Sequence, residues 1–249
     1  MNNLNLTEDL AKEMAENGVI FGHKKTKTNP KIKPYISLSR QEIEIFEPTI
    51  IWESLQRAKE FIKEKIKNGE KILFVATTSG AKKPISEWAK ELQMPYVINR
   101  WLGGTLTNFK VISNRLKYYL DLKAKQEKGE LTKYSKKEQI IFNKQIQKMA
   151  INFEGLENFT ELPQAIFIVD PYSHQTALRE AKRLKLPIIA ILDNDDDPSL
   201  IDYPIVANDH APKSLNWLIE KIKEGLIEEK NDLSQNEKNA EVQNSFKES

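Results

Sequence analysis

Cysteine is missing altogether from the 249 residues. Disulfides, thiolate zinc sites, iron–sulfur clusters and cysteine nucleophiles are thereby excluded, and a reducing, cytoplasmic setting is expected. No stretch reaches the roughly 18 consecutive apolar residues that a bilayer span needs, so no membrane partner is expected. Met1 to Asp9 have neither the basic nor the apolar region of a signal peptide. Histidine is scarce: His23, His174 and His210 are too scattered for an all-imidazole metal site, and there is no Gly-x-Ser-x-Gly elbow or His-Glu-x-x-His pair. His174, following Ser173, reads as a surface residue in a first helical turn. Glycine-rich phosphate loops are also lacking. No Gly-x-Gly-x-x-Gly follows a candidate strand, and Thr77–Lys82 has one glycine and no Gly-Lys-Ser/Thr ending.

What is present is segregated charge. The formal net charge is only +2, yet Gly18 to Arg40 hold six basic residues and no acidic one, with Pro30 and Pro34 opposing a regular helix. Gly103 to Lys148 hold eleven basic residues against four acidic ones, which leaves a net charge of −11 for the rest of the chain. Such polarisation is the footprint of a phosphate-backbone binder. A solvated lysine-rich surface would explain either block alone.

Short apolar runs read as buried strands: Ile43 to Phe46, Ile72 to Ala76, Tyr96 to Ile98, Ala165 to Val169, Ile188 to Leu192 and Ile205 to Val206. Helical patterns lie between them, such as Ile51, Leu55, Ala58, Ile62 and Ile66, or Ile85, Trp88 and Leu92. The alternation predicts an α/β fold, an open and mostly parallel Rossmann or flavodoxin-like sheet with flanking helices. Between Asn108 and Phe153 the rhythm changes. Phe109, Ile112, Leu116 and Tyr119, then Phe142, Ile146, Met149 and Phe153, form two narrow seams on basic helices, which predicts a protruding antiparallel, coiled-coil-like hairpin. The expected organisation is an N-terminal helix and basic arm over 1–40, a discontinuous sheet domain over 41–107 and 154–227, the hairpin over 108–153, and a disordered acidic tail over 228–249.

Two loops could carry chemistry. Asp193-Asn194-Asp195-Asp196-Asp197-Pro198 follows a strand at the carboxyl edge, where open α/β sheets place ligands. Pro198 and Pro204 stand where an EF-hand needs Gly and Glu, so that template fails. Asp193, Asp195 and Asp197 are weak magnesium candidates, and local capping is the stronger reading. They define the alternative function, a magnesium- and phosphate-ligand-binding enzyme or sensor. That alternative is disfavoured because the basic residues are expected to lie away from this edge. The second loop, Arg100-Trp101-Leu102-Gly103-Gly104, combines cation, stacking surface and close backbone approach in a way that suits RNA, with Thr107 or Asn108 to cap the next helix.

Together with Gly18-Val19-Ile20-Phe21-Gly22-His23, Asn29-Pro30-Lys31-Ile32-Lys33-Pro34-Tyr35-Ile36, Leu106-Thr107-Asn108-Phe109, Asp197-Pro198 and Asp202-Tyr203-Pro204-Ile205, this second loop resembles the bacterial ribosomal protein S2 family, in order from about Asn5 to Leu226. The resemblance implies a non-catalytic, ribosome-bound constituent of the small subunit. It implies binding to 16S ribosomal RNA and to neighbouring small-subunit proteins, including the large OB-fold protein, with no small-molecule substrate. No cofactor is implied beyond magnesium associated with the RNA. The residues expected to meet RNA are His23, Lys24, Lys25, Lys27, Lys31, Lys33, Tyr35, Arg100, Trp101, Asn108, Lys110, Arg115 and Lys117. The chain departs from the family pattern in three places. Ala76-Thr77-Thr78-Ser79-Gly80-Ala81-Lys82-Lys83 replaces a Gly-Thr-Lys-Lys-like run. Ala207 replaces a glycine before Asn208-Asp209, and Glu157–Glu161 lack the usual glycines.

Overall fold

The computed structural model describes residues 6–224 and Leu226. The expected tail, 228–249, lies outside the described residues. In chain order the elements are α1 (Glu8–Glu16), β1 (Phe21–Lys24), β2 (Ile36–Arg40), β3 (Ile43–Phe46), α2 (Pro48–Lys67), β4 (Ile72–Val75), α3 (Ser79–Leu92), β5 (Tyr96–Val97), α4 (Phe109–Glu127), α5 (Lys136–Phe153), β6 (Ala165–Val169), α6 (Gln175–Arg183), β7 (Ile188–Leu192), β8 (Tyr203–Val206) and α7 (Pro212–Lys223).

Five strands form a parallel sheet in the order β5-β4-β6-β7-β8. One row crosses it from Val97 through Val75, Ile168 and Ala190 to Pro204. β4, β6 and β7 are buried at every residue, as expected of strands covered on both faces. Pro204, which cannot donate to a ladder, sits on the edge strand β8, where one side needs no partner. The chain runs outward from β4 to β5 and then crosses back to β6, so the turning point of the winding lies between β4 and β6. At such a point the loops at the carboxyl ends open apart.

The helices follow the apolar spacing. α2 starts with Pro48 at its first position and buries Ile51, Leu55, Ala58, Ile62 and Ile66, steps of four and three that keep one stripe on the core. α4 buries Ile112, Leu116, Tyr119 and Leu122. α5 begins with a reciprocal capping box between Ser135 and Glu138. Gln126 Nε2 donates to Asn143 at 2.9 Å, Gln145 Nε2 donates to the Tyr118 hydroxyl at 3.2 Å, and Tyr119 stacks with Phe153, so the two helices lie antiparallel.

The N-terminal segment is more regular than its prolines imply. β1 and β2 flank β3 in an antiparallel three-stranded sheet, joined by 3-10 turns over Lys25–Lys27 and Pro30–Tyr35. Ile43–Phe46 is therefore the centre of this small sheet and no part of the parallel one. The prolines are accommodated because a short 3-10 turn demands few ladder donors.

Candidate nucleic-acid interface

The N-terminal segment is seated on the carboxyl edge of the parallel sheet. The His23 amide donates to Asp193 Oδ1 at 3.1 Å and to Asn194 Oδ1 at 2.8 Å, and the Asn29 amide donates to the Asn194 carbonyl at 2.7 Å. The Asn194 side-chain amide returns a donor to the Thr28 hydroxyl at 2.8 Å. Gly22 makes this approach feasible, since a Cβ there would stand 2.8 Å from Asp193 Oδ1 and 2.9 Å from Phe46 Cζ. The expectation that the basic residues lie away from the aspartate loop is thus corrected for the N-terminal segment. Its backbone is hydrogen-bonded to that loop.

From this seat Lys24, Lys25, Lys27, Lys31 and Lys33 project into solvent. Lys31 spans back to Asp197 at 2.7 Å and to the Ser199 hydroxyl at 2.8 Å, so its charge is partly compensated. Tyr35 is half-buried against the core, and its carbonyl accepts from the Glu47 amide at 2.9 Å. The His23 ring packs edge-on against His210 with ring centres 4.8 Å apart, which directs it toward the aspartates.

The Arg100–Asn108 turn follows β5 on the same carboxyl edge. Three strand spacings separate β5 from β7, roughly 14 Å. Its organiser is Glu180 on α6, which is 7% exposed. One carboxylate oxygen accepts from Trp101 Nε1 at 3.0 Å and the Gly104 amide at 2.8 Å. The other accepts from the Leu106 and Thr107 amides, both at 3.0 Å, and from the Thr107 hydroxyl at 3.1 Å. Burial works against the ionised form, but the bonds from Thr107, Trp101, Gly104 and Leu106 outweigh it and hold this carboxyl below its ordinary range. Gly104 takes φ +90°, a conformation reserved for glycine, which turns its amide toward Glu180.

This turn explains two differences from the sequence reading. Neither Thr107 nor Asn108 caps α4 with its side chain, because the Thr107 hydroxyl is committed to Glu180 and Asn108 makes no cap bond. Trp101 is half-buried, with its indole N–H occupied, whereas Arg100 and Asn108 are exposed. Lys110, Arg115 and Lys117 are exposed along α4. The Asn99 side chain ties the turn to α5 by donating to the Ile151 carbonyl at 2.7 Å.

The carboxyl edge also gathers acids. Asp193 joins His23, Asp209 and His210 in a cluster whose ligand atoms lie within 4.8 Å of one another, a mixed imidazole and carboxylate donor set. Burial pushes the Asp193 carboxyl up to about 7. The His210 imidazole is pushed up to about 9, first by its hydrogen bond with Asp209. Burial raises Asp209 in turn, and that same bond pulls it back. Of the other two magnesium candidates, Asp195 lies 4.0 Å from His23 Nε2, and Asp197 is engaged with Lys31 and Ser199. Sequence reasoning passed over Asp170, Asp196, Asp209 and His210 as a group. The available signal was that Asp170 and Asp209 lie just past β6 and β8 on the edge already singled out.

His174 is buried, contrary to the surface place expected of it. Its Nδ1 meets the Asp170 carbonyl at 2.7 Å and its Nε2 lies 3.2 Å from the Thr77 amide and 2.9 Å from the Thr77 hydroxyl. The amide must donate, so Nε2 is the acceptor and Nδ1 carries the proton. A neutral imidazole thus ties the loops after β4 and β6.

Comparison with known proteins supports the fold and the sequence motifs together. The sequence profile of the family described as Ribosomal protein S2 matches residues 14–229. The chain is 38% identical over 217 residues to the small ribosomal subunit protein uS2 of Coprothermobacter proteolyticus, covering 87% of this chain and 81% of that one. It is 40% identical over 218 residues to the uS2 protein of Roseiflexus castenholzii, covering 88% and 83% of the two chains. With the uS2 protein of Dictyoglomus thermophilum the identity is 40% over 234 residues, or 94% of each chain. The parallel sheet, the glycine turn held against α6 and these matches agree, and the chain belongs to the ribosomal protein S2 family.

Proposed function

We propose that the N-terminal lysines, Arg100 and the basic face of α4 form one surface that docks on 16S ribosomal RNA. As an S2 family member the chain is a structural, non-enzymatic constituent of the small ribosomal subunit, associated with ribosomal RNA and other ribosomal proteins. The alternative of an enzyme or sensor built on the aspartate loop has no support in this family.

The observation that carries the RNA reading is charge presented on a fixed backbone. Lys24 at the end of β1 and Lys25, Lys27 and Lys33 on the short turns beyond it are exposed, and the His23 and Asn29 amides on either side of the first turn are hydrogen-bonded to Asp193 and Asn194. Lysines held this way neutralise phosphates without ordering a flexible arm first, and they read RNA shape more than sequence. Arg100, Asn108, Lys110, Arg115 and Lys117 extend the surface, while His23, Lys31, Tyr35 and Trp101 contribute mainly by fixing it. In this reading the chain is divided into 1–40, a sheet domain of 41–107 with 154–227, a projecting helical pair over 108–153, and a tail over 228–249. The acidic remainder faces solvent or neighbouring proteins of the cytoplasmic small subunit, the large OB-fold protein among them.

The test is binding of the full-length chain to a 16S RNA fragment across a salt series. Replacing Lys24, Lys25, Lys27 and Lys33 by Ala should flatten the slope of log K against log salt by about one for each phosphate no longer neutralised, up to about four. An unchanged slope would refute the assignment. Sedimentation of lysate at low and high salt gives the cellular counterpart, with the chain expected among the small subunits.

A further inference from the structure

Three aspartates at the carboxyl edge are not used by the RNA face. Asp170 follows β6, Asp196 lies in the turn after β7 and Asp209 in the loop after β8. They are 2%, 3% and 0% exposed. Oδ2 of each has no hydrogen-bond partner among the described residues. The three carboxylates nevertheless converge, with ligand atoms within 4.8 Å of one another. Folded proteins seldom leave one such oxygen unpaired, and three facing each other add like-charge repulsion. A proton on one carboxyl can satisfy one neighbouring oxygen at most, whereas a single cation can bind all three.

The surroundings narrow what could satisfy them. His210 Nε2 stands 4.0 Å from Asp170 Oδ2, beyond hydrogen-bond range, and its Nδ1 is taken by Asp209 Oδ1. Asp170 Oδ1 accepts from the Ser173 amide at 3.0 Å, which fixes that carboxylate while leaving Oδ2 directed at the cluster. Converging carboxylate oxygens that are buried and reached by no donor, though the His210 imidazole stands beside them, are the ligand set of a hard divalent cation. A spread of at most 4.8 Å is also about what two metal–oxygen bonds of roughly 2.3–2.6 Å span end to end.

We propose that Asp170, Asp196 and Asp209 bind a hard divalent cation of the Mg2+, Mn2+ or Ca2+ class through carboxylate oxygens alone. This site is distinct from the neighbouring cluster of His23, Asp193, Asp209 and His210, with which it shares only Asp209. It draws one ligand from each of the loops after β6, β7 and β8, so a bound cation joins three successive strand ends beneath the seat of the N-terminal segment. The site is independent of RNA binding, and its loss would leave the RNA surface assignment standing.

Mn2+ titrated into the purified, chelator-stripped full-length chain tests it, with free ion counted by electron paramagnetic resonance and ligands read from nitrogen modulation. The expected result is a bound Mn2+ without imidazole nitrogen coupling, displaced by Mg2+ or Ca2+. Asp196→Asn and Asp170→Asn should each weaken it at least about tenfold, while His23→Gln and His210→Gln leave it intact. No bound Mn2+ at millimolar concentration, nitrogen coupling on every bound ion, or affinity unchanged in both aspartate variants would overturn it. If those variants fail to fold, the spectrum of the unaltered chain still decides between the two ligand sets.

Discussion

Glu180 and Asp196 are both buried carboxylates, held by opposite means. Glu180 receives five donors from the Trp101–Thr107 turn, and its acidity is strengthened despite burial. One oxygen of Asp196 has no hydrogen-bond partner among the described residues, and burial, reinforced by Asp209, Asp195, Asp170 and Asp193, pushes the carboxyl up to about 9. A charge buried with its full complement of donors organises the chain around it. A charge buried without them is a debt that a proton or a cation must settle.

The sharpest way to break the contrast is Glu180→Ala. Four buried or half-buried N–H groups lose their acceptor at once, and the expected cost is about 3–5 kcal/mol by denaturant unfolding, with the Trp101 environment altered. Glu180→Gln should fall between, since one amide edge would present donors to donors. The pH dependence of the unaltered chain carries the same sign. A folded-state acidity stronger than the unfolded one contributes stability above the ordinary glutamate value of 4.5, and this is lost as the pH falls through the lower folded value. The indole N–H resonance of Trp101 is the local readout.

Asp196→Asn should move stability in the opposite direction. In chelator the unfolded carboxyl ionises near 3.8 while the folded one keeps its proton toward 9, so the folded state binds more protons and stability falls as the pH rises between those values. Removing the group should therefore stabilise the cation-free chain by on the order of 3 kcal/mol near pH 8 and flatten that slope. An equally steep slope in the variant would show that other groups set it.

Strands β4, β6 and β7 were legible because burial on both faces leaves an unbroken apolar run, and α2 because its stripe repeats every three or four residues. β1 and β2 were not. Phe21–Lys24 has a single large apolar residue, and the short Ile36-Ser37-Leu38-Ser39 alternation leads into no buried face, Leu38 being exposed, so neither marks a strand until β3 pairs with both. The glycine turn was visible as a motif, but its organiser lies some 75 positions away. Glu180 had one mark, a charge sharing the buried face of Ala177 and Ala181 at helical spacing. In the Asp193–Asp197 run, clustering drew attention to Asp195 and Asp197, while the acids that converge include Asp170 and Asp209 from other loops. Sequence proximity is a poor guide where a parallel sheet assembles its edge from separate crossovers.

Two smaller effects sharpen the comparison at its margins. Gly22→Ala should cost about 2 kcal/mol, because the new methyl would crowd Asp193 Oδ1 and Phe46, and it should weaken RNA binding by unseating the lysines. Ser135→Ala removes half of a capping box on an exposed helix start far from either carboxylate. A loss of about 1 kcal/mol, with RNA affinity unchanged, is expected from thermal melting and a binding titration.

The bonds from the His23 amide to Asp193 and Asn194 join positions 170 and 171 residues apart. During synthesis the lysine-bearing segment is therefore made long before its seat exists. At about 5–20 residues per second the wait is roughly 10–30 s. For that interval a nascent chain trails a cationic strand with no platform, and its turns acquire their final shape only after β7 and the loop beyond it have been translated.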